Sequence, residues 1–384
     1  MAQAATPTGT GSLGSRDRPG LISRLLWWIN KVLVVLLLFT YLAAHIDPSK
    51  IWPVGLLAFG YPYLLLAHVC FIVWWLLFRW RRIWLSLLAI LVGWGHVGDH
   101  FQLTGRSEPP ANMEAPGTKV LSWNVRLFDL YDWTHNQASR KAMLGLIETE
   151  DPGILCLQEF THNPIRKKFR TKSALLEDLH YAHHHDRYGP NAREPGHFGI
   201  AIFSRHPIVA RGHIDLPHNP NNQCIWADIA LDGDTLRVYN AHLASYHFGD
   251  RDNAFIARLS TEMEHSELER GGRRILRLLR DGMRSRSQEI KIITAHMDTS
   301  PHPVLFCADL NDVPMSYSYT RLRKRLRDAF TESGTGRGGT YIGELPSMRI
   351  DHVMHDDRIV SWGFITHAGA WSDHHAISCW VALP

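Results

Sequence analysis

Three observations predict a mixed α/β domain preceded by an N-terminal region of transmembrane helices. The 384 residues carry 41 Lys+Arg and 37 Asp+Glu, a formal net charge of +4, but residues 25–104 hold only seven of these charges and eight of the 14 Trp. Residues 105–384 carry 33 basic and 34 acidic side chains, and in them short β-rich apolar runs alternate with helical patterns. This distribution excludes a wholly soluble protein, a disordered chain and a uniformly basic nucleic-acid binder.

The N-terminal part is predicted to be a disordered tail over residues 1–20, rich in Gly, Ser, Thr and Ala, followed by a transmembrane region over residues 21–104. About three helices are expected there, at residues 25–44, 51–78 and 83–98. A spanning helix needs about 20 apolar residues, so the third stretch, with 16, is short. A cleaved signal peptide fits poorly because two further apolar blocks follow the first. A buried hydrophobic hairpin of a soluble protein is the other alternative.

Arginines indicate the orientation of these helices. Three precede the first helix and three follow the second, namely Arg16, Arg18 and Arg24, and then Arg79, Arg81 and Arg82. The positive-inside rule puts both clusters in the cytoplasm. Three spans then put the large domain outside the cytoplasm, whereas a third stretch that only lies on the surface leaves the domain inside. We favour three spans, which predicts a multi-pass protein of the cell (inner) membrane with its large domain outside the cytoplasm.

A linker is predicted over residues 105–117, which include SEPPANMEAPG, and one large folded domain over residues 118–384. The strands predicted from apolar β-rich runs are Val120–Val125, Gly153–Leu157, Gly199–Phe203, Ile225–Leu231, Thr235–Tyr239, Val304–Cys307, Arg349–Val353 and Ala376–Val381. The predicted helices are Ala138–Thr149, Gly272–Ile293 and Tyr317–Ala329.

Polar side chains cluster at the ends of the predicted strands, where layered α/β folds carry their functional groups. They are Asn124 in LSWNVR, Glu159 in ILCLQEF, Asn240 and His242 in YNAHLAS, Asp309 and Asn311 in VLFCADLNDVP, Asp351 and His352 in RIDHV, and Asp373 and His374 in SDHH. Each alone is typical of a turn former or a structural histidine. Together they supply hard oxygen ligands and imidazoles, which suit Mg²⁺, Mn²⁺ or Ca²⁺ better than zinc. The sequence contains no P-loop, dinucleotide fingerprint or G-x-S-x-G elbow.

The ordered series WN, QE, N-x-H-L, D-L-N, R-I-D-H and S-D-H resembles the endonuclease/exonuclease/phosphatase superfamily. The resemblance covers about residues 117–384 and does not reach residues 1–104. It implies a four-layer sandwich of two packed mixed β-sheets flanked by helices, with the site at one end. It also implies attack of water on a phosphorus centre with Mg²⁺ as the cofactor, Mn²⁺ or Ca²⁺ being alternatives.

The resemblance also implies a role for each motif residue. Asn124, Glu159 and Asp373 are expected at the metal, with Glu159 as the principal ligand. Asp309 and Asn311 are expected to orient and deprotonate the attacking water and to contact the phosphate. His374 is expected beside the scissile phosphate with Asp351 orienting it, and His242 as a second imidazole on the phosphate. Whether Asp309 or His374 is the general base stays open at this stage.

The functional hypothesis is therefore a membrane-anchored phosphoric ester hydrolase, a phosphodiesterase of nuclease or phospholipase type. Its substrate would be a phosphate ester of nucleic acid or of a phospholipid headgroup, and no obligatory protein partner is inferred. One alternative is a lipid- or inositol-phosphate phosphatase. Another is a non-catalytic membrane scaffold that retains the fold.

Three further features were interpreted without a fixed role. An arginine-rich predicted helix between Arg270 and Arg286 is either a solvated face or a surface that meets phosphate or membrane. The histidine run His183–His185, after His180, predicts an exposed polar loop, with a zinc or substrate loop as the alternative. If exposed outside the cell, it would become cationic below about pH 6.5 and favour anionic substrates. No disulfide is compelled by the five cysteines.

Overall fold

The computed structural model describes residues 20–111, 113, 117–163, 165, 169–189, 197–231, 233–246, 248–258, 264–343 and 347–383. The predicted tail up to residue 19, with Arg16 and Arg18, and part of the predicted linker (residues 112 and 114–116) lie outside this set.

The N-terminal region is helical. Its helices are α1 (Leu21–Ala43), α2 (Trp52–Gly55), α3 (Leu57–Phe78), α4 (Ile83–Val92) and α5 (Trp94–His100). In the described chain, two helical stretches are long and apolar enough to cross a membrane, Leu21–Ala43 and the nearly continuous Trp52–Phe78, each with a mean hydropathy of 2.0. The third apolar stretch divides at Gly93 into α4 and α5, of 10 and 7 residues.

Twelve strands follow in the part of the chain that is described. They are β1 (Thr118–Asn124), β2 (Ile154–His162), β3 (His183–Tyr188), β4 (His197–Ser204), β5 (Ile208–Ile214), β6 (Gln223–Leu231), β7 (Asp234–His242), β8 (Val304–Asp309), β9 (Arg327–Asp328), β10 (Asp351–His355), β11 (Val360–His367) and β12 (Ala376–Ala382). The helices of this domain are α6 (Ser139–Glu150), α7 (Thr171–Ser173), α8 (Asp250–Arg258), α9 (His265–Met297), α10 (Tyr317–Arg323) and α11 (Ala329–Ser333).

The strands form two six-stranded mixed sheets. The first has the order β11-β12-β1-β2-β4-β3 and the second β5-β6-β7-β8-β10-β9. In each sheet one central pair is parallel, β1 with β2 and β7 with β8. Parallel neighbours end at the same edge of a sheet, and this places four strand ends at one end of the domain.

Three apolar cores separate four layers. Residues such as Val120, Ile202 and Leu305 fill the space between the two sheets. A second core lies between the second sheet and the inner faces of α9 and α10, and a third joins the first sheet to α6. These layers confirm the predicted sandwich of two mixed sheets flanked by helices. The five cysteines are free, and the four in the domain are buried.

One strand at a sheet edge is not predicted from the sequence, because its side chains are only partly buried. The run His183–His185 was predicted to be a loop, which is wrong, because it begins β3, whose residues are all partly exposed at the sheet edge. An edge strand keeps one face and one row of backbone groups near water, so it tolerates polar residues. His185 Nε2 lies 2.9 Å from the Gly212 carbonyl, and burial lowers the pKa of both His184 and His185. The predicted gain of positive charge there therefore shifts to lower pH.

The predicted helix Tyr317–Ala329 is also wrong in extent. It ends at Arg323, and the short strand β9 separates it from α11, which begins at Ala329. The side chain of Asp328 accepts the Phe330 backbone N–H and so caps α11. Arg327 and Asp328 pair as β9 at the edge of the second sheet, and this pairing interrupts the helix before Ala329.

Candidate active site

Five of the predicted site residues lie on neighbouring strand ends. Asn124 ends β1, and Glu159 lies in the parallel β2. His242 ends β7 and stands in register with Asp309 at the end of the parallel β8. Asp309 is in turn the register partner of Asp351, the first residue of the antiparallel β10. The two sheets thus bring these side chains together at one end of the sandwich.

A buried histidine links two of these carboxylates. His374 Nδ1 lies 2.8 Å from Asp351 Oδ2, and His374 Nε2 lies 3.8 Å from Asp309 Oδ2. Burial disfavours the charged imidazole, but the carboxylates of Asp351 and Asp309 outweigh it and raise the pKa of His374 well above its ordinary value. For Asp351, burial raises the pKa of the carboxyl, and the charge of His374 opposes this increase. The arrangement therefore favours a protonated imidazole with one N–H directed towards Asp309.

Asn124 connects this pair to the more open half of the site. Its Nδ2 donates to Asp309 Oδ2 at 2.9 Å and to Glu159 Oε1 at 3.3 Å. Its Oδ1 accepts the backbone N–H of Arg126 at 3.0 Å. His242 Nε2 lies 3.6 Å from Asp309 Oδ2 and 3.8 Å from Glu159 Oε1. The amide and the second imidazole thus lie between two carboxylates.

Two site residues adopt a left-handed backbone. Glu159 has φ +47° where the register of β2 against β4 shifts, and Asn311 has φ +51°. Such a conformation is unfavourable for a residue with a Cβ, and a bulge changes the direction of a side chain. Asn311 is fixed by its N–H to Asp309 Oδ1 and by its Nδ2 to the Leu243 carbonyl, both 3.0 Å. Both residues are therefore held in strained positions at the site.

Asp373 occupies a different environment from the other predicted residues. In the described part of the chain its ion pair is with Arg126, whose Nε lies 3.4 Å from Asp373 Oδ2. The guanidinium of Arg126 lies over the ring of Trp133, 4.6 Å from its centre. Neither Arg126 nor Trp133 stood out in the sequence, because their partners are far away along the chain or in a loop.

Two donor sets can be compared as sites for a divalent cation. Asp309, Asp351 and His374 have one ligand atom each within 4.8 Å of one another. In that set all three residues are buried and His374 Nδ1 is engaged by Asp351 Oδ2 at 2.8 Å, which leaves little access for a cation. Glu159 fits better, because its carboxylate is 35% exposed and, within the described chain, its polar neighbours are the amide of Asn124 and the imidazole of His242. Asn124 presents its amide nitrogen towards Glu159, so ligation through its oxygen would need the amide to rotate.

A buried charge cluster behind the site was missed by sequence analysis. Arg286 is fully buried; it donates to the Ala244 carbonyl at 2.7 Å and pairs with Asp312 at 3.3 Å. Glu289 accepts the Ala244 N–H at 2.9 Å. These contacts join the loop after His242 to the loop after Asp309. One signal existed: Arg286 falls on the same helical stripe as the buried residues Met283 and Ile290 of α9.

The other arginines of α9 are accessible to solvent. Arg270, Arg273, Arg274, Arg277 and Arg284 are exposed. Some of them pair with neighbouring carboxylates, as Arg274 does with Asp252 at 2.6 Å. Their arrangement agrees with the solvated helical face.

Two family models match the chain. Residues 121–374 match the model described as endonuclease/exonuclease/phosphatase family. Residues 23–100 match a domain of unknown function, DUF8431. No curated protein matches the sequence.

Solved structures with the same fold are similar at low sequence identity. The human Nocturnin catalytic domain with bound sulfate is 17% identical with a TM-score of 0.51, covering 72% of this chain and 100% of that one. An endonuclease/exonuclease/phosphatase from Bacteroides vulgatus is 15% identical with a TM-score of 0.51, covering 70% of this chain and 100% of that one. At this identity the likeness concerns the fold alone.

Proposed function

The chain belongs to the endonuclease/exonuclease/phosphatase family, whose members are hydrolases acting on phosphoester bonds, and from that membership we propose that it is a membrane-anchored, divalent-metal-dependent phosphodiesterase. The observation that carries the proposal is the buried Asp351–His374 pair, whose imidazole faces Asp309 at 3.8 Å. A protonated imidazole beside a carboxylate supplies a donor for a phosphate oxygen and an acceptor for a proton of water.

In this proposal each residue of the site has a separate role. Asp351 keeps His374 protonated, so His374 stabilises charge on the phosphate and Asp309 accepts the proton of the attacking water. Asn311 is bonded to the Asp309 carboxylate and holds it in place. His242, 15% exposed beside Asp309, contacts the phosphate from the open side. Asp309 is therefore our choice for the general base.

A divalent cation would be held by Glu159, with Asn124 and Asp373 as further candidates. Bound there, Mg²⁺, or Mn²⁺ or Ca²⁺ in its place, would neutralise developing charge on the phosphoryl oxygens. Support for this assignment comes from the partly exposed carboxylate of Glu159. Carboxylate and amide oxygens are the ligands that these hard cations prefer.

We also propose three membrane crossings and a domain on the side opposite to the arginine clusters. Arg82 Nη1 donates to the Ser23 carbonyl at 3.0 Å, which joins the start of α4 to the start of α1. Tyr41 OH donates to the Ala89 carbonyl at 3.1 Å, which joins the later parts of both helices. Both contacts support a course of α4 alongside α1 in the same direction. By the positive-inside rule the domain is then extracytoplasmic, and a C-terminal tag should be accessible from outside the membrane on spheroplasts.

The enzymatic proposal is tested with the full chain purified in detergent. We expect Mg²⁺-dependent hydrolysis of bis(4-nitrophenyl) phosphate, abolished by EDTA and restored by Mg²⁺, and faster than hydrolysis of the monoester 4-nitrophenyl phosphate. His374→Ala should lower turnover about 10²–10⁴-fold, since it removes the group facing the phosphate. His375→Ala is the matched control, because that neighbouring ring accepts a hydrogen bond from the Gly369 N–H at 3.4 Å and, among the described residues, forms none with a carboxylate of the site.

Each other outcome selects an alternative. Preference for the monoester would favour the lipid- or inositol-phosphate phosphatase. Absence of turnover on both compounds would favour the scaffold. Equal activity of His374→Ala and the unmodified chain would reject the site assignment.

A further inference from the structure

An apolar cluster joins the N-terminal helices directly to the catalytic domain. We name it the helix–domain core; its buried members are Leu37, Tyr41, Ala44, Ala58, Tyr61 and Ala89 from the helices and Val313, Met315 and Ile350 from the domain. Five of the helical members lie in the last turns of α1, the adjoining residue 44 and the first turns of α3. The domain is therefore packed against one end of the two long apolar helices.

The domain members of this core are chain neighbours of the site residues. Val313 and Met315 follow Asn311, and Ile350 directly precedes Asp351. Tyr341 packs against the same core, and its ring lies edge-on to the His374 ring with 5.4 Å between centres. One aromatic side chain thus separates the helices from the imidazole of the site.

A second aromatic contact brings α3 to the loop that follows His242. Phe59 of α3 and Tyr246 of that loop have ring centres 6.0 Å apart, and Tyr246 stacks on Phe248 at 5.6 Å. Arg286 donates to Tyr246 OH and holds the loop from behind. Helix α3 therefore contacts the loop that follows His242.

Polar contacts fix the orientation of the domain relative to the N-terminal helices. Gln102, just after α5, exchanges two backbone hydrogen bonds with Gly336, of 2.9 and 2.8 Å. Arg349 Nη2 donates to the Asp99 carbonyl at 2.7 Å, and Tyr319 OH donates to Asp99 Oδ1 at 3.1 Å. The domain is thus held at a defined place against the helices, beyond the covalent connection.

From this arrangement we infer that the substrate is a phospholipid of the same bilayer, whose headgroup phosphoester enters the site while its acyl chains stay between lipids. Long helices with exposed apolar faces, such as Leu66 and Leu77 at 61% and 72%, are typical of surfaces that face acyl chains. The site lies at the end of those helices, and its Glu159, His242 and Asp373 side chains remain partly open.

Nucleic acid fits the same surroundings less well. Residues 105–384 carry 33 basic and 34 acidic side chains, whereas binding of a nucleic-acid backbone depends on an excess of Lys and Arg. The neighbours of the site on the helix side are aromatic and aliphatic, as the helix–domain core shows. An amphiphilic substrate would meet both the apolar side chains of the helix–domain core and the polar side chains of the site.

The reaction follows the proposed function, on which this inference rests. The oxygen of water bonds to phosphorus while the bond from phosphorus to one ester oxygen breaks. Asp309 takes a proton from the water, and the departing alkoxide leaves as an alcohol after taking up a proton. No oxidant, reductant or further reactant is needed.

The test reconstitutes the full chain in nanodiscs containing phosphatidylethanolamine, phosphatidylglycerol, phosphatidylinositol and sphingomyelin. Phosphorus NMR follows the lipids, and absorbance follows bis(4-nitrophenyl) phosphate in the same sample with Mg²⁺. We expect turnover of at least one lipid and slower scission of added plasmid DNA. If the soluble diester is hydrolysed and no lipid is, the inference fails and the proposed function stands. If neither is hydrolysed, both fail, and faster scission of DNA than of any lipid also overturns the inference.

A pair of matched variants tests the apolar contact that Phe59 supplies beside the site. Phe59→Gln should lower the ratio of lipid turnover to soluble-diester turnover about tenfold, chiefly through the apparent KM for lipid. Phe71→Gln is the control, because Phe71 lies on the same helix but stacks on Trp75 at 6.4 Å, away from the site. If the ratio of lipid turnover to soluble-diester turnover is unchanged in Phe59→Gln, or falls equally in both variants, Phe59 has no role in lipid binding.

Discussion

Buried charged residues hold the site in place at the scale of single side chains. Arg286 is fully buried and contacts the Ala244 carbonyl and the Asp312 carboxylate, each in a loop that follows a site residue. Arg349 has the corresponding position behind Asp351, where its Nη1 donates to Asp328 Oδ2 at 2.7 Å. A buried ion pair adds little net stability, but loss of one partner leaves an uncompensated charge. Substitution of either carboxylate should therefore be costly.

Asp328→Asn should lower the free energy of unfolding by about 3–5 kcal/mol at neutral pH, because it leaves the buried Arg349 unpaired. Burial alone would raise the pKa of Asp328, but Arg349 and His352 outweigh it and hold that pKa well below its ordinary value of 3.8. A depressed carboxyl pKa contributes stability that is complete above pH 3.8 and is lost as the pH falls further. Thermal unfolding in detergent between pH 2.5 and 7 measures both effects.

The control is Asp281→Asn, whose carboxylate is 55% exposed and lies 2.8 Å from Arg280. An exposed pair of this kind contributes about 0–1 kcal/mol. Equal losses in the two variants, or an acid limb unaltered by Asp328→Asn, would show that the Asp328–Arg349 pair does not stabilise the protein as described.

At the scale of elements, close approach of strands explains features that side-chain patterns do not. The register shift in β2 gives Glu159 its left-handed backbone and its direction into the site. The edge strand β3 pairs with β4 along six register partners although its side chains are polar. In both cases backbone pairing, rather than apolar periodicity, determines the local conformation.

Gly199→Ala should destabilise the protein by about 1–3 kcal/mol by forcing β3 and β4 apart. A Cβ at Gly199 would lie 1.8 Å from the Arg187 carbonyl oxygen and 2.7 Å from the Tyr188 Cα, both backbone atoms that cannot rotate away. Gly145→Ala in α6 is the control, because nothing lies within 4 Å of its Cβ and alanine favours a helix. Thermal melts should show opposite shifts for the two variants. A neutral Gly199→Ala would mean that β3 does not pair with β4 in solution.

At the scale of the whole molecule, the helices and the catalytic domain share a core and form one folding unit. The helix–domain core buries Val313, Met315 and Ile350 against helical side chains. A fragment of residues 106–384 would expose these three, each of which contributes about 1.5–3 kcal/mol when buried. We expect the fragment to self-associate and to unfold at a lower temperature than the full chain, by light scattering and calorimetry.

Met315→Gln distinguishes this explanation from general instability. It should reduce self-association of the fragment, where residue 315 is exposed, and destabilise the full chain, where Met315 is fully buried. A monomeric fragment that melts at the temperature of the full chain would contradict a shared core.

Local sequence patterns suffice to predict the two-part organisation, the layered α/β class and the set of strand-end residues. Composition separates membrane-type helices from a domain, and central strands buried on both faces give apolar runs that end at Asn124, Glu159 and Asp309. These are local signals, readable within about ten residues. The polar edge strand β3 and the helix break at Arg323 gave no such signal, because pairing and burial by distant residues decide them.

Which of these residues meet, and what surrounds them, depends on long-range packing. Asp351 and His374 are 23 positions apart and Asn124 and Asp309 are 185 apart, yet both pairs are in hydrogen-bond contact. The buried Arg286 and the contact of α3 with the site loops likewise depend on packing between segments far apart in the chain. Local sequence specifies each element, but contacts between elements form only when the sheets and helices bury their faces together. The position of the site at the end of the apolar helices is a property of that packing.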